Sequence, residues 1–116
     1  RLSFRLSDLS SPGSLLAVAR DRDGDAIGCG VIRPLEPGVC EVKRMYVRDK
    51  GRGIGSAILA YLEEQAADMG YHTIRLETRR VNRDAVAFYL ARGYAPIANY
   101  GRYAGRDEAV CFEKIL

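Results

Sequence analysis

Hydrophobic and polar positions follow two different periods along this 116-residue chain, and the change of period organises it. Leu15-Leu-Ala-Val-Ala19 and Ile27-Gly-Cys-Gly-Val-Ile32 are short apolar runs on either side of Asp21-Arg-Asp-Gly-Asp25. The Asp23-Gly24 pair predicts a hairpin turn there, because both residue types tolerate the positive φ of a tight turn. A second break, Pro34-Leu-Glu-Pro-Gly38, leads into Val39–Val47. The front half therefore reads as three consecutive antiparallel strands, the third rich in charge. From Gly53 the spacing changes: Ile54, Ala57, Ile58, Tyr61, Leu62, Ala66 and Met69 form one apolar helical stripe, and Gly70 stands where a left-handed C-terminal cap is expected. Alternation returns over His72–Thr78, with Ile74 and Leu76 on one face and Arg75 and Glu77 on the other. Asn82 reads as the N-cap of a second helix over 83–92, which Gly93 ends. Tyr94–Ile97 and Val110–Ile115 predict a closing pair of strands around the polar loop Asn99–Glu108.

The order β-β-β-α-β-α-β-β predicts an α/β (α+β) fold: a mixed, mostly antiparallel sheet with a central parallel βαβ unit and flanking helices. The crossover in that unit is expected to be right-handed. The length bounds the chain to a single domain, 1–116. No repeat, low-complexity tract or linker interrupts it. With 47% apolar and 28% charged residues the composition is that of an ordinary globular protein, so disorder and fibrous classes are excluded. No apolar run approaches the ~20 residues of a membrane span, so no membrane association is expected. The start, Arg1-Leu-Ser-Phe-Arg5, lacks the apolar stretch of a signal peptide. The missing initiator Met implies that the chain begins part-way into its natural protein or after processing.

The net charge of +3 is a mild bias toward anionic partners, and Lys43, Lys50 and Lys114 are the only lysines. Cys29, Cys40 and Cys111 are odd in number and lack CxxC spacing, and His72 is the sole histidine. Neither a metal site nor a disulfide scaffold is expected, and a reducing cytoplasm fits best.

Lys50-Gly-Arg-Gly-Ile-Gly-Ser56 carries most of the chemical information. It joins a strand to a helix start, where free backbone N–H groups and the helix dipole favour an anion. Lys50 and Arg52 add positive charge. A nucleotide P-loop is excluded because no Lys follows Gly55. A dinucleotide fingerprint fits at Gly51 and Gly53 but meets Ser56 at its third position, although Glu77 follows at a suitable distance. The preceding strand, with Glu41, Lys43 and Arg44, is also unlike a strand buried on both faces. A plain glycine-rich turn stays open on the loop alone.

From Ser14 to Leu116 the chain resembles the GNAT superfamily of N-acetyltransferases. Lys50-Gly-Arg-Gly-Ile-Gly55 stands where that family has its coenzyme A loop, [Q/R]-x-x-G-x-[G/A], with Lys50 in place of the usual Arg or Gln. Asn82-Arg-Asp-Ala-Val-Ala-Phe-Tyr89, followed by Gly93-Tyr94, is similar to the family's Asn-x-x-Ala-x-x-x-Tyr…Gly-[FY] helix. Cys40–Val47 resembles the strand that precedes the loop.

The resemblance implies a GNAT-like fold with its N-terminal part short or missing, residues 1–13 being the remnant of a helical region. It implies acetyl-CoA as cosubstrate, without a metal, and a primary amine of a small molecule or peptide as acceptor. The strand ending at Val47 and the His72–Thr78 strand would splay apart. Backbone groups of Met45, Tyr46 and Val47 would then pair with the pantetheine. The diphosphate would rest on Lys50, Gly51, Arg52, Gly53, Ile54, Gly55 and Ser56. Asn82, Ala85, Phe88 and Tyr89 would line the cofactor from the second helix, Asn82 also capping it. Transfer would be direct, since a cysteine nucleophile needs a base and no Cys–His spacing is present. Glu41 is the candidate base, or else a strand carboxylate paired with Lys43 or Arg75. Tyr89 is the candidate acid for the departing sulfur, or else a core residue. The acceptor pocket falls to residues 1–13 and the Tyr100–Glu108 loop. A homodimer is compatible with this reading. Two other classes stay open: an acetyl-CoA-binding module without catalysis, and, on Arg79, Arg80, Arg83 and the net charge, a nucleic-acid binder, which the absence of an RNA-binding aromatic motif disfavours.

Overall fold

Four strands in succession form an antiparallel meander: β1 (Ser3–Asp8), β2 (Leu15–Arg20), β3 (Ala26–Glu36) and β4 (Val39–Val47). The computed structural model describes residues 2–8 and 12–116. Helix α1 (Ile54–Asp68) then crosses over to β5 (Thr73–Arg79), which lies parallel to β4. Helix α2 (Arg83–Ala91), the short edge strand β6 (Ala95–Ile97), a 3-10 turn (Gly101–Tyr103) and β7 (Ala109–Ile115) complete the chain. The seven strands make one mixed sheet in the order β1-β2-β3-β4-β5-β7-β6, and six of them are strands that the alternation predicts.

Strand β1 is the departure. The reading of residues 1–13 as a helical remnant gives way over Ser3–Asp8 to a strand paired with β2 from Ser3↔Arg20 to Asp8↔Leu15. The reason is local: Leu2, Phe4 and Leu6 alternate with Ser3, Arg5 and Ser7, the period of a strand with one buried face. Phe4 stacks on Tyr61 of α1, ring centroids 4.2 Å apart. Arg1 and residues 9–11 of that segment lie outside the described residues.

One face of the sheet carries the core. Ala17, Ile32, Cys40, Val42, Ile74, Leu76 and Phe112 meet the α1 stripe of Ile54, Ile58, Leu59, Leu62 and Ala66. Close approach depends on two strand glycines. A Cβ at Gly28 would lie 2.6 Å from Ile58 Cδ1 and 2.8 Å from the Tyr46 carbonyl oxygen. One at Gly30 would lie 2.7 Å from Leu62 Cδ1 and 2.9 Å from Met45 Sδ. Glycine in a strand interior marks such an approach. Gly28→Val is therefore expected to cost about 1–3 kcal/mol or more, as overpacking does, read as a lowered urea midpoint.

The opposite face bears the charge of β4 and β5: Glu41 and Lys43 on one strand, Arg75 and Glu77 on the other. Between Cys29↔Tyr46 and Val31↔Lys43 the β3–β4 register shifts by one residue, so Gly30 faces both Arg44 and Met45. Arg44 takes the bulge position with φ 55°, a conformation that costs a non-glycine residue about 1–2 kcal/mol. The bulge bends β4 away from β5 and returns Met45 and Val47 to the α1 side, where they pack on the core.

Candidate active site

The parallel pairing of β4 with β5 runs only through Val39↔Thr73, Cys40↔Ile74 and Glu41↔Arg75. Beyond this apex β4 continues to Val47 and β5 to Arg79 without pairing to each other, β5 staying with β7 to its end. The strands thus fork. One edge of β4 keeps its β3 partners while the other opens on a cleft of about 810 Å³.

The mouth of this cleft is the glycine loop. Gly51 and Gly53 adopt φ of 84° and 74°, and nothing lies within 4 Å of a Cβ placed on either. Their requirement is conformational rather than steric. Gly53 is also the N-cap of α1, with no side-chain cap and no acidic residue in the first turn. The first N–H groups of a fifteen-residue helix are left for an external anion, with the helix dipole behind them. Lys50, Gly51, Gly53, Ile54, Gly55 and Ser56 all line the cleft, and Met45 and Val47 line it from β4. Arg52 instead lines a smaller hollow of about 250 Å³ beside Arg48, Asp49 and Asp21. Tyr46 turns its ring outward, 60% exposed, and does not line the cleft with its side chain.

Helix α2 closes the other wall through Asn82, Ala85, Phe88 and Tyr89. Asn82 caps the helix as predicted, its Oδ1 accepting from Ala85 N–H at 3.2 Å. Phe88 Cζ would lie 3.5 Å from a Cβ on Gly55, and Arg92 donates to Ser56 Oγ, so helix and loop are in contact across the cleft. Tyr89 occupies both environments considered for it. Its ring packs on Tyr94 and Phe112, with centroids 5.8 and 6.1 Å away, and it also lines the cleft. Burial raises its pKa, so the phenol keeps its proton at neutral pH.

Glu41 lies at the apex and is buried. Tyr100 donates its hydroxyl to Glu41 Oε2 at 2.5 Å, and Lys43 Nζ stands 3.8 Å from Oε1. Arg75, the other partner considered for it, pairs with Glu113 at 3.1 Å and Glu36 at 3.7 Å. Burial, and then the hydrogen bond to Glu41, push the Tyr100 hydroxyl pKa up, so it remains a donor. Lys43 also donates to the Tyr103 hydroxyl, so the 98–108 loop is tied to β4 at two points. Glu41 does not line the cleft; Glu77 on β5 does. Glu77 and Lys43 are cleft residues to which no motif points. Their signal was alternation, which sets Lys43 on the face of Glu41, and Glu77 on the face of Arg75.

Cys40 and Cys111 are fully buried, and burial pushes Cys40 up to about 12 and Cys111 upward as well. Among the described residues no group of three His, Cys, Asp or Glu side chains is arranged to hold a metal. No helix among them is long and apolar enough to cross a membrane.

The mixed sheet thus forks, with an uncapped helix start at the mouth of the fork. A model of the acetyltransferase (GNAT) family matches residues 2–94, and the chain belongs to this family. It is 35% identical over 92 residues to an N-acetyltransferase of Schizosaccharomyces pombe, covering 77% of this chain and 56% of that protein. It is 35% identical over 114 residues to an IAA acetyltransferase of Azospirillum brasilense, covering 96% of this chain and 74% of that protein. The chain thus spans little more than half the length of the first of these relatives. A Klebsiella pneumoniae structure assigned to the acyl-CoA N-acyltransferases superposes with a TM-score of 0.86 at 33% identity, over 94% of this chain and 77% of that one. A Bacillus subtilis acetyltransferase in complex with CoA has the same fold, with a TM-score of 0.83 at 14% identity, over 100% of this chain and 99% of that one.

Proposed function

We propose that this chain moves an acetyl group from acetyl-CoA to the primary amine of a small molecule or peptide, by direct attack of the amine on the thioester. The observation that carries this is the fork: β4 offers an unpaired edge whose outer end meets the anion-ready start of α1. A pantetheine arm has amides to pair with such an edge, and a diphosphate suits the loop. The B. subtilis relative, solved with CoA, supports the cosubstrate. Burial of Cys40 and Cys111 favours direct transfer over an acetyl-cysteine intermediate.

The amine must arrive unprotonated, and at a pKa of ~10.4 only about one part in a thousand is so at pH 7. Glu41 receives that proton, directly or through water. Glu77 is the second reading, because it lines the cleft itself. Tyr89 serves the departing sulfur. Its pKa is raised above 10 whereas a thiol has ~8.5, so full proton transfer to the thiolate runs uphill. A hydrogen bond that stabilises the developing charge is its better role. Tyr89→Phe deletes only that hydroxyl. Turnover is expected to fall about tenfold or more with acetyl-CoA affinity unchanged. An early-melting variant would instead make Tyr89 a core ring alone.

The proposal is tested by melting the protein with and without acetyl-CoA, then following thiol release over an amine panel. Ligand at a hundred times its dissociation constant adds about 2.7 kcal/mol of stability. Binding without turnover of any amine would leave a silent acetyl-CoA module. No shift at all would remove the cosubstrate.

A further inference from the structure

The apex of the fork carries two opposite charges side by side on the sheet face away from the helices. Glu41 and Lys43 are 3.8 Å apart, and Lys43 lines the cleft with 21% of its side chain exposed. An ammonium has three donors. One goes to the Tyr103 hydroxyl and one faces Glu41, which leaves a third for a ligand. Further cations surround this corner. Arg102, fully exposed, lies over the Tyr103 ring at 5.3 Å and feels the charges of Glu41 and Glu77. Arg44, lifted out by the bulge, lines the cleft. Among the described residues neither Arg44 nor Arg102 has a carboxylate within 4 Å.

Resting on the transferase reading, we infer that the acceptor is a small zwitterion: an amine bearing an anionic group a few bonds from its nitrogen, the anion held by Lys43 and Arg102. The pattern of the apex is the complement of such a molecule. Its ammonium meets the Glu77 carboxylate on the cleft wall, and its proton leaves there or passes through water to Glu41 behind the apex. Its anion takes the free donor of Lys43 and the exposed guanidinium of Arg102, in ion pairs that an amine without an anionic group cannot form. A diamine would set its second positive charge against Lys43, Arg44 and Arg102 together.

The test compares matched amines as acceptors with acetyl-CoA saturating: glycine, β-alanine and aminomethylphosphonate against glycinamide, β-alaninamide and putrescine. The anionic amines are expected to lead in kcat/KM by about tenfold or more, a gap equal to one well-made ionic contact. Lys43→Gln and Arg102→Gln should each erode that lead through KM, and Lys43→Arg should restore most of it. A loss of Glu41 geometry in Lys43→Gln would slow both amine sets equally, so the ratio isolates the contact. Arg102 is exposed, so Arg102→Gln is expected to keep the wild-type melting temperature. Equal or better turnover of the amides or of putrescine, or a lead indifferent to both variants, overturns the inference while leaving the transferase intact. Failure of every amine, with acetyl-CoA still raising the melting temperature, overturns the transferase reading and this inference with it.

Discussion

Gly53→Val is expected to weaken acetyl-CoA binding at least a hundredfold, about 2.7 kcal/mol, while the chain still folds. Position 53 has φ 74°, a region that a β-branched residue avoids, and it sets the direction of the first N–H groups of α1. Forcing it into an ordinary φ rotates those donors away from the cleft mouth. The local cost to stability is modest, since nothing packs within 4 Å of that position and the core stripe of α1 begins beyond it. Gly53→Ala should fall between wild type and valine. Isothermal titration with acetyl-CoA, beside a far-UV spectrum to establish folding, decides the matter. Wild-type affinity in a folded valine variant would remove the loop from the binding site.

Glu41→Gln is expected to slow acetyl transfer by ~10²–10⁴ near neutral pH, the usual worth of a general base. Glutamine keeps the shape and can still accept from the Tyr100 hydroxyl, so the tie to the 98–108 loop survives and the fold should be unaffected. The loss should shrink as pH rises, because below the amine pKa each unit of increase in pH raises the free-base fraction tenfold. A rate profile from pH 6 to 10 for Glu41→Gln and Glu77→Gln side by side assigns the proton. A pH-independent deficit in the first, with a deficit that closes with pH in the second, would move the base from β4 to β5.

Much of this architecture is written locally. Six strands and both helices follow from the switch between two-residue and 3.6-residue periods, and Asn82 caps α2 where its position predicts. Strand β1 was missed because its alternation is short and begins at the chain start, where Leu2 and Phe4 have no neighbouring run to reinforce them. The glycine loop was legible because a tight strand-to-helix turn demands residues of unusual φ, and those residues are rare and clustered. The surroundings of Glu41 were not. Tyr100 reaches it from 59 residues away, and Tyr103 reaches Lys43 from 60, through a loop whose course depends on the closing strands. The bulge at Arg44 was equally hidden, since it arises from the registration of β4 on β3 and leaves no residue type as its mark. Gly28 and Gly30 were visible as strand glycines, but their meaning required knowing that α1 lies over them.

The fork also bears on how this sheet avoids sticking to others of its kind. An open strand edge is normally an invitation to aggregate, because any extended chain can add to it. Here the bare edge of β4 is in the middle of the sheet rather than at its rim. It is closed at one end by the three pairs from Val39↔Thr73 to Glu41↔Arg75, and flanked by α2 along its wall. A foreign strand projects side chains on both faces and would set one row of them against the wall that α2 makes. A slender chain of amides with few substituents sets no such row there. The geometry that leaves backbone groups available for a ligand is also what keeps them from templating an aggregate.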